Sequence, residues 1–242
     1  MKSWFNLVFV EIKSMYRNFT QGVFVLLMPI FYFLLFGWGN QSSKEFFVYL
    51  IPSAILFIII TTMVVNQANN IVLQRDRLLL KRMYGTPLTA FSIISTKVFV
   101  SILILVVQTL AIFLLTIYVF DVNIELNIPL FIVVFFISCL FFGLFGFAVA
   151  NLIPNADSAL AVTQVILLAI MLLAIPSSFD VSFGSFLNTI SDYNPATFFL
   201  EAMYTSFSDN SLKLQWFNLT IVIVWFLLIS FIGIKKFRWS DK

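Results

Sequence analysis

The segment Arg75-Asp76-Arg77-Leu78-Leu79-Leu80-Lys81-Arg82-Met83-Tyr84 gathers charges of both signs around a leucine cluster. The chemistry on offer is recognition. Exposed Leu and Tyr ringed by Arg and Lys can dock into a groove on a protein. The same cations can instead mark the cytoplasmic side of a membrane and touch lipid head groups. Both readings stand on the residues alone. Gly85-Thr86-Pro87 closes the segment, because proline disfavours helix at the residue before it.

Catalysis has little to work with elsewhere. The chain has no histidine, which removes the usual general base, the usual proton relay and the commonest metal ligand. Its single cysteine, Cys139, lies in an apolar run and reads as a small buried hydrophobe. One cysteine allows no internal disulfide and no zinc spacing. Neither G-x-x-x-x-G-K-[ST] nor G-x-S-x-G occurs, so there is no phosphate cradle and no nucleophile elbow. No catalytic, metal or directly bound cofactor site is expected.

The elements that must carry the basic segment are apolar. Hydrophobic residues make up 61% of the 242 and charged residues only 10%. A soluble domain has roughly 45–50% and about 25%, so the surplus here has to face lipid. Six stretches read as spans: 22–37, 46–65, 92–120, 128–150, 159–175 and 216–234. About 20 apolar residues cross roughly 30 Å of hydrocarbon as helix. The first and fifth stretches are short, but polar flanks extend them. None carries a charge at its centre, which would cost about 2.5–3.5 kcal/mol. Lys97 lies near the start of the third, where it can snorkel. No small-x-small site follows the first stretch, so a cleaved signal peptide is not expected.

Charge placement orients the spans. With six, twelve of the fourteen Lys and Arg fall on one face, leaving Lys44 and Lys213 opposite. The basic face is the cytoplasmic one, and it holds both termini. Charge arranged this way favours topology over any nucleic-acid partner.

Other segments add detail. On a helical wheel, residues 2–19 put Trp4, Phe5, Val8, Phe9, Ile12, Met15, Tyr16 and Phe19 on one half. Lys2, Lys13, Arg17 and Glu11 fall on the other, with Leu7 and Val10 as intruders. This predicts a helix lying in the membrane interface. Pro29 should bend the first span. Gly143, Gly146 and Ala150 put small residues on nearly one face of the fourth, which permits close helix packing. Asp157 or Ser158 is expected to cap the fifth. The stretch 176–215 is too rich in Phe for a plain connector, and short helices dipping back into the outer leaflet are expected, with Asn194 capping a helix that starts at Pro195.

The fold class is therefore an all-α membrane protein with a single domain over 1–242: an interfacial helix (1–20), six transmembrane helices, a cytoplasmic coupling segment (66–91) and re-entrant outer helices (176–215). Buried carboxylates or lysines, common in ion-coupled transporters, are missing. What remains is a translocator powered from elsewhere, a non-energised scaffold or channel component, or a membrane-embedded enzyme without a visible site.

Several motifs in order resemble the ABC-2 type permeases, the membrane subunits of bacterial ATP-driven exporters. Leu27-Met-Pro29-Ile-Phe-Tyr-Phe-Leu-Leu-Phe36-Gly37 looks like the family's first span. Arg75-Asp-Arg-Leu-Leu-Leu-Lys81-Arg82-Met-Tyr-Gly-Thr-Pro87-Leu and then Ile93-Ile-Ser-Thr-Lys97 are similar to its cytoplasmic loop. Phe142-Gly-Leu-Phe-Gly146 and Asn194-Pro195 look like further landmarks. The segment departs from the pattern with one acid where the family often has two, and Leu78-Leu79 where Gly-Thr is common. The resemblance implies a homodimer or heterodimer of permeases in a bacterial plasma membrane, surrounded by lipid. Separate ABC-type ATPase subunits would bind the ATP and grip Arg75, Arg77, Leu78, Leu79, Lys81, Arg82 and Tyr84. The cargo implied is a drug, an antimicrobial peptide or a lipid, and with it a part in multidrug or antimicrobial resistance.

Overall fold

The computed structural model describes residues 2–17, 19–39, 44–77, 90–123, 125–174, 191–207, 220–227 and 229. Within these, side chains 2–4, 14–26, 28, 90, 91, 93 and 94 are left undescribed. Every regular element among the described residues is helical. The helices are α1 (Lys2–Arg17), α2 (Phe19–Trp38), α3 (Lys44–Ile60), α4 (Gln67–Asp76), α5 (Ala90–Tyr118), α6 (Ile128–Leu152), α7 (Ala156–Ala174) and α8 (Pro195–Tyr204). Residues 220–227 are also helical.

Four helices among these residues are long and apolar enough to cross a membrane: Lys44–Asp76, Ser95–Tyr118, Ile128–Leu152 and Ala156–Ala174. They correspond to the second, third, fourth and fifth expected spans. The first expected span lies within α2, a helix of 20 residues. Much of the expected sixth span lies outside the described residues.

The second span is longer than its apolar run. A π-helical turn, Thr61–Asn66, joins α3 to α4 and makes one helix of 33 residues. At its start the Thr61 hydroxyl donates to the Phe57 carbonyl at 2.7 Å. Such back-bonding bends helices, and single π turns interrupt α-helices at functional places. Pro52 also lies inside this helix.

This long helix is the hub. From Leu50 to Val65 every side chain is buried except the half-buried Ser53, Phe57 and Thr61. Apolar residues all round are what a helix enclosed by others requires. Helices α2, α6, α7 and α8 pack against it. The outer helices keep exposed apolar stripes instead: Leu103, Val107, Leu110 and Leu114 on α5, and Leu160, Val165, Leu168 and Leu172 on α7.

One end of the bundle is closed by α8. Asn194 caps it, as expected, accepting from the Ala196 amide at 3.1 Å with Pro195 in the first turn. Asn194 Nδ2 also donates to the Ile170 carbonyl at 2.9 Å, and the Ser191 hydroxyl donates to the Leu173 carbonyl. Both carbonyls lie near the Ala174 end of α7. Phe199 of α8 packs against Phe141 and Phe142. Tyr204 stacks on Tyr49 at 4.5 Å, with a hydrogen bond of 3.1 Å between their hydroxyls. Trp225 donates to the Tyr193 carbonyl at 3.0 Å, tying in helix 220–227.

Helix α1 is divided between two surroundings. Leu7, Val8, Glu11 and Ile12 are half-buried, and α1 packs on α5. Phe5, Phe9 and Val10 are exposed. The apolar half expected to face lipid therefore gives one edge to protein, and Leu7 sits with that edge because Leu7 and Glu11 are one turn apart. Trp4, Met15 and Tyr16 lie outside the described side chains.

Candidate functional site

At the end of the bundle opposite α8, the long helix runs out at Arg75 and Asp76. Helix α6 stops beside it at Leu152, and α7 starts at Ala156. The last carbonyls of a helix lack intrahelical donors, and its first amides lack acceptors. The adjacent pair Arg75-Asp76 supplies both. Arg75 Nη1 donates to the Ala150 carbonyl at 3.3 Å. Its Nη2 donates to the carbonyls of Ile153 at 2.5 Å and Pro154 at 3.0 Å. The Asp76 carboxylate accepts from the Ala156 amide at 2.5 Å. A cation thus meets the negative end of α6 and an anion meets the positive end of α7. Only Ile153, Pro154 and Asn155 separate the two helices, so one dipeptide holds both ends of a tight turn.

Arg75 is only 1% exposed. Its guanidinium is turned inward onto backbone carbonyls of α6 and the turn beyond it, rather than out to where a partner would dock. Arg75 follows Ala68, Ile71 and Val72 by seven, four and three residues, which places all four on one helix face. All four are buried. That spacing was the available signal, and the positive charge hid it. Asp76 and Arg77 are exposed. Leu78, Leu79, Lys81, Arg82 and Tyr84, the remaining expected coupling residues, lie outside the described residues.

The turn itself is built locally. Asn155 Oδ1 accepts from the Ser158 amide at 3.1 Å. Asn155, not Asp157 or Ser158, therefore caps α7, because the helix begins two or three residues earlier than expected.

Above the junction, α6 lies against the π turn. An added Cβ on Gly146 would come within 2.0 Å of the Met63 carbonyl oxygen, whereas one on Gly143 would meet Met63 Sδ at an ordinary 3.6 Å. Ala150 is fully buried. Gln67 Nε2 donates to the Gly143 carbonyl at 3.1 Å. Small residues let two backbones approach this closely, and here the partner backbone is the hub helix. Thr163 of α7 donates to Asn69 of α4 at 3.3 Å, adding a second link between these helices. Pro29 is buried inside α2.

Lys97 is 8% exposed and pairs with Glu11 at 3.0 Å. It does not snorkel to water. Glu11, which fell on the polar half of the wheel, faces α5 because its partner is there.

Four long apolar helices, apolar outer stripes and a buried hub helix make this a membrane-embedded helical protein. Residues 3–208 match the family model described as ABC-2 type transporter. The chain belongs to that family, whose members are transport permeases and generally work with ABC-type ATPase subunits. Comparison with curated proteins returned no match.

Proposed function

We propose that this chain is the permease subunit of an ABC exporter, carrying a hydrophobic or amphipathic cargo and driven by separate ATPase subunits. The observation that carries the reading is where the hub helix ends. Within a chain matched to the transporter family over 3–208, a buried helix of 33 residues runs directly into the basic segment at Arg77. A force applied to that segment acts on the one helix packed against most of the others.

In this reading the chain has six spans, with both termini and the 66–91 segment in the cytoplasm of a bacterial plasma membrane. Two permeases pair, and the cargo passes along their seam, since the hub of each copy is packed shut. ATPase subunits grip the segment around Leu78–Tyr84. Drugs, antimicrobial peptides and lipids are the cargo classes that suit apolar walls.

The test is co-purification. Leu79→Asp combined with Arg82→Glu should abolish recovery of the ATPase with the permease while membrane insertion is kept. Undiminished recovery removes the coupling role from this segment.

A further inference from the structure

We propose that Arg75 and Asp76 are positioning residues that carry movement of the coupling segment through α7 to α8 at the opposite face of the membrane. This rests on the coupling role proposed for residues 66–91. The first link is the junction. Arg75 holds three carbonyls at the end of α6 and the turn beyond it, and Asp76 holds the first amide of α7. Pulling Arg75 off would break three hydrogen bonds to a buried guanidinium, which is strongly unfavourable. When the segment after Arg77 moves, the turn at Ile153–Asn155 has to move with it.

The second link is α7. Its outward face, Leu160, Val165, Leu168 and Leu172, is exposed, so little protein on that side resists a shift. A helix is stiff along its axis, and a displacement applied at Ala156 arrives at Ala174. There Asn194 and Ser191 hold the carbonyls of Ile170 and Leu173, so α8 receives it. The line is continuous: Arg77, Asp76, Ala156, Ile170, Asn194. It contains a discrete polar contact at each end of α7, which is where a transmitted movement can be cut.

The experiment uses the permease–ATPase complex in lipid nanodiscs. An environment-sensitive fluorophore on Leu172→Cys, in a Cys139→Ala background, reports on the far end of α7. Emission is compared without nucleotide and after trapping with ATP and vanadate, and is normalised to assembled complex. With the native junction, trapping should shift the emission. Arg75→Gln should cut that shift about threefold or more, the size expected for a change lying between coupled sites, while the ATPase stays bound and keeps hydrolysing ATP. Arg75→Lys should restore part of the shift, because it keeps the cation but not the fork of donors. A purely structural role for Arg75 lowers the amount of complex and leaves the shift per complex unchanged, which overturns the proposal. Should Arg75→Gln fail to accumulate, Asp76→Ala takes its place: a reduced shift supports the link, and a full shift overturns it. A reporter silent with the native junction defeats the coupling reading itself and this inference with it.

Discussion

Lys97 Nζ lies 3.0 Å from Glu11 Oε1, and this pair fastens α1 to the first turns of α5. Lys97 is nearly enclosed while Glu11 keeps partial access to solvent. The pair should therefore be stronger than an exposed salt bridge and weaker than a fully buried one. A double-mutant cycle with Glu11→Gln and Lys97→Met, read by thermal unfolding in detergent, should give a coupling energy of about 1–3 kcal/mol. A value near zero would mean that α1 is held on α5 by its apolar contacts alone.

Gly146 and Gly143 should respond differently to alanine. At Gly146 the new methyl meets the Met63 backbone carbonyl, which cannot swing aside as a side chain does. Gly146→Ala should destabilise by about 1–3 kcal/mol or more, as overpacking does. Gly143→Ala meets only side-chain atoms of Met63, Val98 and Gln67, all at ordinary van der Waals distance of 3.6 Å or more, and should be nearly silent. Equal melting temperatures for the two variants would contradict this packing of α6 on the π turn.

Glu201 of α8 should make stability depend on pH. Although the side chain keeps solvent access, partial desolvation raises its pKa above the usual carboxylate range, and the nearby Asp192 charge raises it further. The folded state therefore holds the Glu201 proton more tightly than the unfolded chain does. This group favours folding at pH below its ordinary value and loses that contribution as pH rises through the raised one. Glu201→Gln should raise the melting temperature at pH 7, and the gain should shrink toward pH 4. A gain that is constant across this range would assign the effect to packing.

The purified chain should not hydrolyse ATP. These 242 residues contain no phosphate-binding loop, and the family is not itself catalytic. Turnover that survives removal of every ATPase subunit would contradict the division of labour proposed above.

The sequence by itself determined the solvent. Long apolar runs such as 128–150 can satisfy their backbone in hydrocarbon only as helices, and Asn194-Pro195 announced the start of α8 through local capping chemistry. Those signals are local, so they survive without knowledge of neighbours. Tertiary structure decided which helix is the hub. The second, fourth and fifth spans all read as apolar, but only contacts show that Leu50–Val65 is enclosed while Leu160, Val165, Leu168 and Leu172 stay exposed. It also decided what the charges do. Arg75 and Lys97 read as positive-inside markers, yet Arg75 closes the end of a helix whose carbonyls lie about 75 residues further along the chain, and Lys97 meets a carboxylate 86 residues before it. A charge is given its partner by distance in space, and that distance exists only once the helices have packed.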